Sequence, residues 1–492
     1  MTTHSPLYAT SRGGTLLGVP LRVARSPRRS FDSTGGTGMQ PGSEPGARDR
    51  DRDRDAARSS STKRGTMPHV EISCRTDRAL ALGTGKSRRF VWARLRAPLA
   101  PEGPRRPLCL GLVLDCSASM EGERLALAQQ AAIAALARLA PQDCFTVVAY
   151  DSLATVLCPT AAATPVAKQR AIQAILGLQP REGTNLFAGW QKACEQLAPR
   201  LSTDAVARVL LITDGEANCG FIQPEYISLR VEEQRRGRIT TSTVGVGPSF
   251  NEWLLGTMAD AGGGNFYYAQ RPQQLPPVIE REVSAAFAVI HPDTRLVVSV
   301  PAGASVECLN RFPVAERFRF AGRCFDVMLG DLASDQQVSV VLQVELPEGP
   351  LDAACALELC VVNPGQTLSS QPSQSSRIEW RWVTEEENTT QARDVSVTRE
   401  TARLFTAMAR QRATRLNQCK RYEEAAEHLL RVARNHRRIA CGDPFLLSLA
   451  AQLERDAEAM REPLSDEDSK SSFTRCYLTL RGLAELEALM RL

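Results

Sequence analysis

Two short stretches hold side chains that can do chemistry together. Asp115-Cys116-Ser117-Ala118-Ser119 follows the apolar run Leu108-Cys109-Leu110-Gly111-Leu112-Val113-Leu114, and Asp214-Gly215-Glu216 follows Val209-Leu210-Leu211-Ile212-Thr213. Carboxylates and hydroxyls are hard oxygen donors, the kind Mg²⁺ takes in octahedral coordination while keeping several waters. In an extended loop Asp115, Ser117 and Ser119 point one way and Cys116 and Ala118 the other. Taken singly, the fragments have ordinary uses: Asp and Ser cap helices, and Thr-Asp-Gly is a turn. A metal site requires that they converge.

The elements around them supply that convergence. Over residues 107–290, apolar strands alternate with amphipathic helices. The strands are Leu108 to Leu114, Cys144 to Tyr150, Thr155 to Pro159, Val209 to Thr213, Ile239 to Val246 and Asn265 to Ala269. Helices fall at 122–140, 166–178, 185–200, 224–236, 251–260 and about 275–290. Continuous apolar strands are buried on both faces, so the fold class is α/β, a doubly wound and mostly parallel, Rossmann-like sheet with helices on both sides. In such a sheet the loops at the strand C-termini share one crevice.

With the architecture placed, Asp115-x-Ser117-x-Ser119, Gly183-Thr184-Asn185 and Thr213-Asp214-Gly215 together resemble the three loops of the metal-ion-dependent adhesion site of von Willebrand factor A (VWA) domains. Order, spacing and position on strands and helices match across roughly 107–290. The resemblance implies that Ser117, Ser119 and Thr184 supply hydroxyl oxygens, and that Asp115 and Asp214 bind directly or through water. The ion implied is Mg²⁺, or another divalent cation such as Mn²⁺ or Ca²⁺, and the expected ligand is an Asp or Glu of a partner protein. The Gly262-Gly263-Gly264-Asn265 stretch leading into Phe266-Tyr267-Tyr268 is similar to the branch with inter-alpha-trypsin inhibitor heavy chains and bacterial stand-alone members, where the A domain often sits beside β-rich sequence.

The flanks read differently. Residues 1–66, rich in Gly, Ser, Pro and Arg, cannot bury enough apolar surface to fold and are expected to be a disordered tail. Alternating stretches at 69–99 predict strands that join a later β-sandwich at 294–384, across the inserted α/β unit. Strands there are expected at 295–300, 317–320, 337–346, 356–362 and 377–383. Gly83-Thr84-Gly85-Lys86-Ser87 looks like the end of a phosphate-binding loop, but a strand pattern follows it where a helix is needed, so a hairpin turn is expected. Residues 395–492 predict a helical region, with periodic positions through 402–416, 422–437 and 444–460. Tyr422-Glu423-Glu424-Ala425-Ala426 resembles part of a tetratricopeptide-type repeat, and in a single copy it reads as a plain helical hairpin.

Composition narrows the function. The net charge of +5 resides in residues 1–66, whose 12 Arg and Lys against 6 Asp and Glu leave the remainder at −1. A specific nucleic-acid partner is therefore not expected. Fourteen cysteines stand singly, with no CxxC pair, and read as reduced thiols. No window reaches the roughly 20 apolar residues of a membrane span, and Thr15 to Leu21 is too short for a signal peptide, so a cytoplasmic setting is expected. Enzyme readings compete weakly. Cys116 before a helix could be a nucleophile, but His4, His69, His291, His428 and His436 all lie outside the strand-end loops. Metal-assisted phosphoester hydrolysis lacks a second carboxylate where Ser117 stands. A non-catalytic subunit beside an ATPase partner, as in metal-chelatase assemblies, is the alternative to a divalent-metal-dependent protein-binding module.

Overall fold

The computed structural model describes residues 69–101, 103–202, 204–319, 322–363 and 375–482. The segment 1–66, expected to be a disordered tail, lies outside the described residues. Strands β1 (Glu71–Thr76), β2 (Leu80–Leu82) and β3 (Ser87–Arg96) come first. The Gly83 to Ser87 pentapeptide makes the turn into β3, and Lys86 Nζ ion-pairs with Glu345 Oε1 at 2.7 Å. The loop leads directly into strand β3, where a phosphate cradle needs it to open a helix.

The α/β unit runs through β4 (Leu108–Asp115), α1 (Glu123–Arg138), β5 (Cys144–Tyr150), β6 (Ala154–Ala162), α2 (Pro165–Leu176), α3 (Leu186–Leu197), β7 (Val206–Thr213), α4 (Pro224–Arg236), β8 (Ile239–Val246), α5 (Glu252–Gly262), β9 (Gly263–Ala269) and α6 (Leu275–Phe287). Its sheet has the order β6-β5-β4-β7-β8-β9, parallel except for β6, which pairs antiparallel with β5. Every residue of β4, β7 and β8 is buried, as expected of central strands covered on both faces. Leu125, Ala128, Ala132, Ala135 and Leu136 recur at helical spacing on α1 and pack with α2 and α6 on one face of the sheet. Trp190, Ile227, Val231, Leu254 and Met258 from α3, α4 and α5 cover the other. The sheet is thus doubly wound. Register places Cys109 of β4 opposite Cys144 of β5, and the two are joined in a disulfide, which corrects the expectation of reduced thiols at this pair. The pairing follows from strand register, which the isolated spacing of cysteines cannot reveal.

The chain then returns to β structure: β10 (Val289–Ser299), β11 (Ser305–Cys308), β12 (Val314–Arg319), β13 (Gly322–Ala333), β14 (Gln337–Leu346), β15 (Ala354–Val362) and β16 (Ser375–Val383). One sheet has the order β1-β3-β14-β11 and the other β12-β13-β10-β15-β16-β2. The β3–β14 ladder, from Ser87 opposite Leu346 to Arg96 opposite Gln337, ties the segment before the α/β unit to the segment after it. Leu95, Val298, Val327, Leu342, Leu359 and Trp380 belong to the core enclosed between these sheets.

Helices α7 (Glu385–Thr390), α8 (Val395–Gln418), α9 (Tyr422–Ala440), α10 (Pro444–Ala459) and α11 (Asp466–Leu480) follow. Phe405 of α8 meets Phe90 of β3 edge-on at 5.9 Å. Helix α11 goes elsewhere: Phe473 and Tyr477 insert beside Phe266 at 5.8 and 5.5 Å and become part of the α/β core. Among the described residues no helix is long and apolar enough to cross a membrane.

A buried charge cluster locks the α/β unit to the sandwich. Arg208 of β7 pairs with Glu282 of α6 and with Asp331 of β13, the latter at 2.7 Å. Glu282 also accepts hydrogen bonds from Ser242 and Tyr267, each at 2.6 Å. Burial opposes its charge, but Arg208, Ser242 and Tyr267 outweigh that and hold the carboxyl below its ordinary 4.5. Removing one partner of such a cluster strands the other charge, so Glu282→Ala should lower the unfolding free energy by about 3–5 kcal/mol in urea melts at neutral pH. A depressed carboxyl binds fewer protons folded than unfolded, so its stabilisation is full above its unfolded value and is lost in acid. The gap between wild type and Glu282→Ala should accordingly close as pH falls below 4.5; a gap independent of pH would show that the charge is not what stabilises.

Candidate metal centre

Strand β4 ends at Asp115, which is fully buried, and the chain leaves it extended at Ser117, with φ −63° and ψ 162°, before a single 3₁₀ turn. Asp115 is held from three sides. Its Oδ1 accepts the Ser117 N–H at 2.8 Å, and its Oδ2 accepts the hydroxyls of Thr213 at 2.5 Å and Tyr150 at 3.2 Å. Burial pushes its carboxyl up to about 6, against the pull of the Thr213 and Ser117 hydrogen bonds and with a further push from Asp214. A desolvated carboxylate short of positive charge is stabilised by a cation brought beside it.

Asp214 follows β7 and is also fully buried. Its Oδ1 accepts the Ser119 hydroxyl at 2.6 Å, and its Oδ2 accepts Arg124 Nη1 at 2.5 Å. Ser119 Oγ lies 3.0 Å from Ser117 Oγ. The third loop is docked by backbone contacts. Arg181 N–H donates to Cys116 O at 2.8 Å, and Thr184 N–H donates to Asn218 Oδ1 at 2.8 Å. Gly183 makes the approach possible: its φ of +86° suits glycine, and a side chain there would press on Ser152 at 2.9 Å.

Gly215 marks where the loops meet. A Cβ placed on it would stand 3.3 Å from Ser119 Oγ, 3.7 Å from Thr184 Oγ1 and 3.9 Å from Ser117 Oγ. Three hydroxyl oxygens therefore face one small space, flanked by Asp115 and Asp214, and all five residues singled out in the sequence come together. The donor set suits a hard divalent ion: every candidate ligand atom is oxygen, and two carboxylates less the charge of Arg124 leave the crevice at about −1. Among the described residues no group of three or more His, Cys, Asp or Glu side chains is arranged to hold a metal, so an ion here would rest largely on hydroxyls and water.

Tyr150, Arg124 and Asn218 escape a reading of the sequence. Tyr150 ends a strand and looks like core. Arg124 did carry a signal, since a cation in the first turn of a helix opposes the helix dipole unless an anion lies close. Cys116 is placed poorly for a nucleophile: it is buried, its thiol donates to Tyr150 O at 3.1 Å, and burial and the neighbouring Asp151 and Asp115 push it up to about 11.

The sheet and its strand-end crevice define an α/β domain of the class that binds ligands at the carboxyl edge of its strands. Residues 110–281 match the family model of the von Willebrand factor type A domain, and this part of the chain is such a domain. The Escherichia coli protein YfbK is 31% identical over 188 residues, 38% of this chain and 32% of that protein. The Synechocystis protein sll0103 is 25% identical over 291 residues, 56% of this chain and 65% of its own. Human inter-alpha-trypsin inhibitor heavy chain H4 is 31% identical over 174 residues, 34% of this chain and 18% of its own. The chain thus spans less than two thirds of each of these relatives. Among solved structures, a von Willebrand factor type A protein from Catenulispora acidiphila superposes with a TM-score of 0.67 at 16% identity, covering 85% of this chain and 98% of that one. The ArnB paralog VWA2 from Sulfolobus acidocaldarius gives 0.54 at 17% identity, covering 84% and 98%. These likenesses take in far more than residues 110–281, so the fold shared is broader than the A domain.

Gly215→Ala puts a methyl group among the three hydroxyls. It should weaken Mn²⁺ binding, measured by calorimetry, by about tenfold or more, the scale on which changes around a metal site act. The melting temperature in EDTA should barely move. Equal Mn²⁺ affinity in the two proteins would mean that no ion sits between the hydroxyls. Arg124→Gln, which removes a competing cation from Asp214, should strengthen Mn²⁺ binding in the same titration.

Proposed function

We propose that this protein is a divalent-metal-dependent protein-binding module of the adhesion or scaffold type, not an enzyme. Asp115, Ser117, Ser119, Thr184 and Asp214 hold Mg²⁺, with Mn²⁺ or Ca²⁺ as substitutes, and a carboxylate of an Asp or Glu on a partner protein completes the coordination. The observation that carries this reading is the meeting of three hydroxyls and two buried carboxylates beside Gly215, at an edge where Ser119 is exposed. A divalent ion supplies a Lewis-acidic position there. With only about one negative charge around it, the crevice becomes net positive on loading and draws an anionic group from solution.

The surroundings suit a protein ligand. The loop from Asn218, which clips Thr184 in place, runs on into Phe221 and Ile222, and these are 51% and 46% exposed. Phe221 stacks on Tyr226 at 4.6 Å, so an exposed aromatic patch lies beside the polar crevice, and aromatic side chains are enriched where interfaces concentrate binding energy. Twelve cysteines outside any disulfide, beside the single Cys109–Cys144 pair, fit a reducing compartment, and the cytoplasm is the setting we propose.

Affinity capture with the full chain, run in Mg²⁺ and again in EDTA, tests this directly. Proteins retained in Mg²⁺ should be lost in EDTA and lost again with Asp115→Ala and Ser117→Ala, both checked for wild-type melting. Retention that survives EDTA and both substitutions would count decisively against a metal-borne contact.

A further inference from the structure

Where the α/β unit, the sandwich and the C-terminal helices meet, they enclose a cavity of about 450 Å³. Five arginines line its wall, Arg94 from β3, Arg208 from β7, Arg281 from α6, Arg403 from α8, and Arg481 just after α11. Among the described residues the lining carboxylates are Asp331 and Glu400. The wall therefore carries an excess of three positive charges, or two once Glu282 behind Arg208 is counted.

Much of this donor capacity goes unused. Arg208 and Arg481 are each only 4% exposed, and among the described residues the Nε of each has no hydrogen-bond partner. Arg481 satisfies its other nitrogens on the carbonyls of Arg311 at 3.2 Å and Gly264 at 3.1 Å and makes no ion pair among the described residues. The buried Nε of Arg403 is likewise without a hydrogen bond, its nearest carboxylate being Glu400 at 3.5 Å. Nearer the surface, Arg281 makes neither a hydrogen bond nor an ion pair among the described residues, and Arg94 only lies over the Trp92 ring at 4.8 Å. A buried N–H without an acceptor is costly, and guanidinium forks match the oxygens of phosphate and carboxylate groups. The volume falls within the roughly 300–1,000 Å³ of small-molecule sites.

We propose that this cavity is a binding site for a small organic oligoanion carrying two or more phosphate or carboxylate groups. Arg403 and Arg481 grip it at depth, Arg208 behind them stays committed to Glu282 and Asp331, and Arg94 and Arg281 close on it at the mouth. The site is separate from the metal crevice: β7 carries both, with Arg208 near its start and Asp214 just past its end, about 20 Å apart at the rise of a strand.

Isothermal titration of the full chain in buffer stripped of metal on a chelating resin and free of other polyanions, with pyrophosphate and separately with citrate, tests the site without a metal to bridge the probe. At least one probe should bind with a submillimolar dissociation constant; pyrophosphate alone points to a phosphate-bearing ligand and citrate alone to a polycarboxylate. Arg94→Ala and Arg281→Ala, at positions that hold little of the fold, should each weaken binding on the order of tenfold. Arg434→Ala, at an exposed position of α9 away from the cavity, should leave it unchanged. Absence of heat with both probes at millimolar concentration, or equal weakening in all three variants, overturns the proposal. So does binding that emerges only in a chain ending at Gly482, which would make Glu485 or Glu487 of the chain itself the occupant.

Discussion

The structure depends on the ten-residue antiparallel ladder between β3 and β14, whose residues lie some 250 positions apart in the chain. Closing so long a loop costs entropy that must be met by contacts across the junction. The ladder itself, the sandwich core and the buried Arg208–Glu282–Asp331 cluster provide them. Because the α/β unit leaves and re-enters the sandwich beside this ladder, the N-terminal ends of β7 and β8 face the sandwich, where Thr240 and Arg208 reach Asp331. The C-terminal ends of β4 and β7, with their carboxylates and hydroxyls, are turned the other way. The anchoring of the domain thus decides which edge of its sheet is presented outward.

Electrostatics differ sharply at the two ends of β7. Near its start a buried cation is paired twice, in a setting that rewards complete neutralisation. At its end Asp115 is desolvated but met only by hydroxyls and a backbone N–H, while Asp214 has one oxygen on Arg124 and one on Ser119. One end is finished as it stands and serves stability. The other is held in geometry but left short of positive charge, which is the condition of a site prepared for something to arrive.

How much of this can be read from residues alone depends on how local the cause is. β4, β7 and β8 are legible because burial on both faces writes an unbroken apolar run. The three loops are legible because their residue types recur in a fixed order at strand ends. β13 hides, because Asp326, Gly330 and Asp331 interrupt it, and the arginines that neutralise two of them, Arg317 and Arg208, come from other strands. Strand β6 reads as a fragment ending at Pro159, whereas it runs on to Ala162 because β5 offers a partner along its length. Helix α11 hides for the same reason as β13: Lys470 is polar in sequence but buried against Glu252 of α5. The hydroxyl of Tyr150 is another remote partner, invisible until β5 lies beside β4.

Helix α11 has one more effect. Phe473 and Tyr477 complete a core that begins with strands formed more than two hundred residues earlier, and Gly256 on α5 leaves the space that Phe473 fills, since a Cβ there would stand 3.1 Å from its ring. During synthesis at roughly 5–20 residues per second, Phe266 and Trp253 therefore wait on the order of ten seconds or more for their cover. The A domain is in this sense finished last. Until then the rings of Phe266 and Trp253 lack the two aromatic side chains that pack against them in the finished chain.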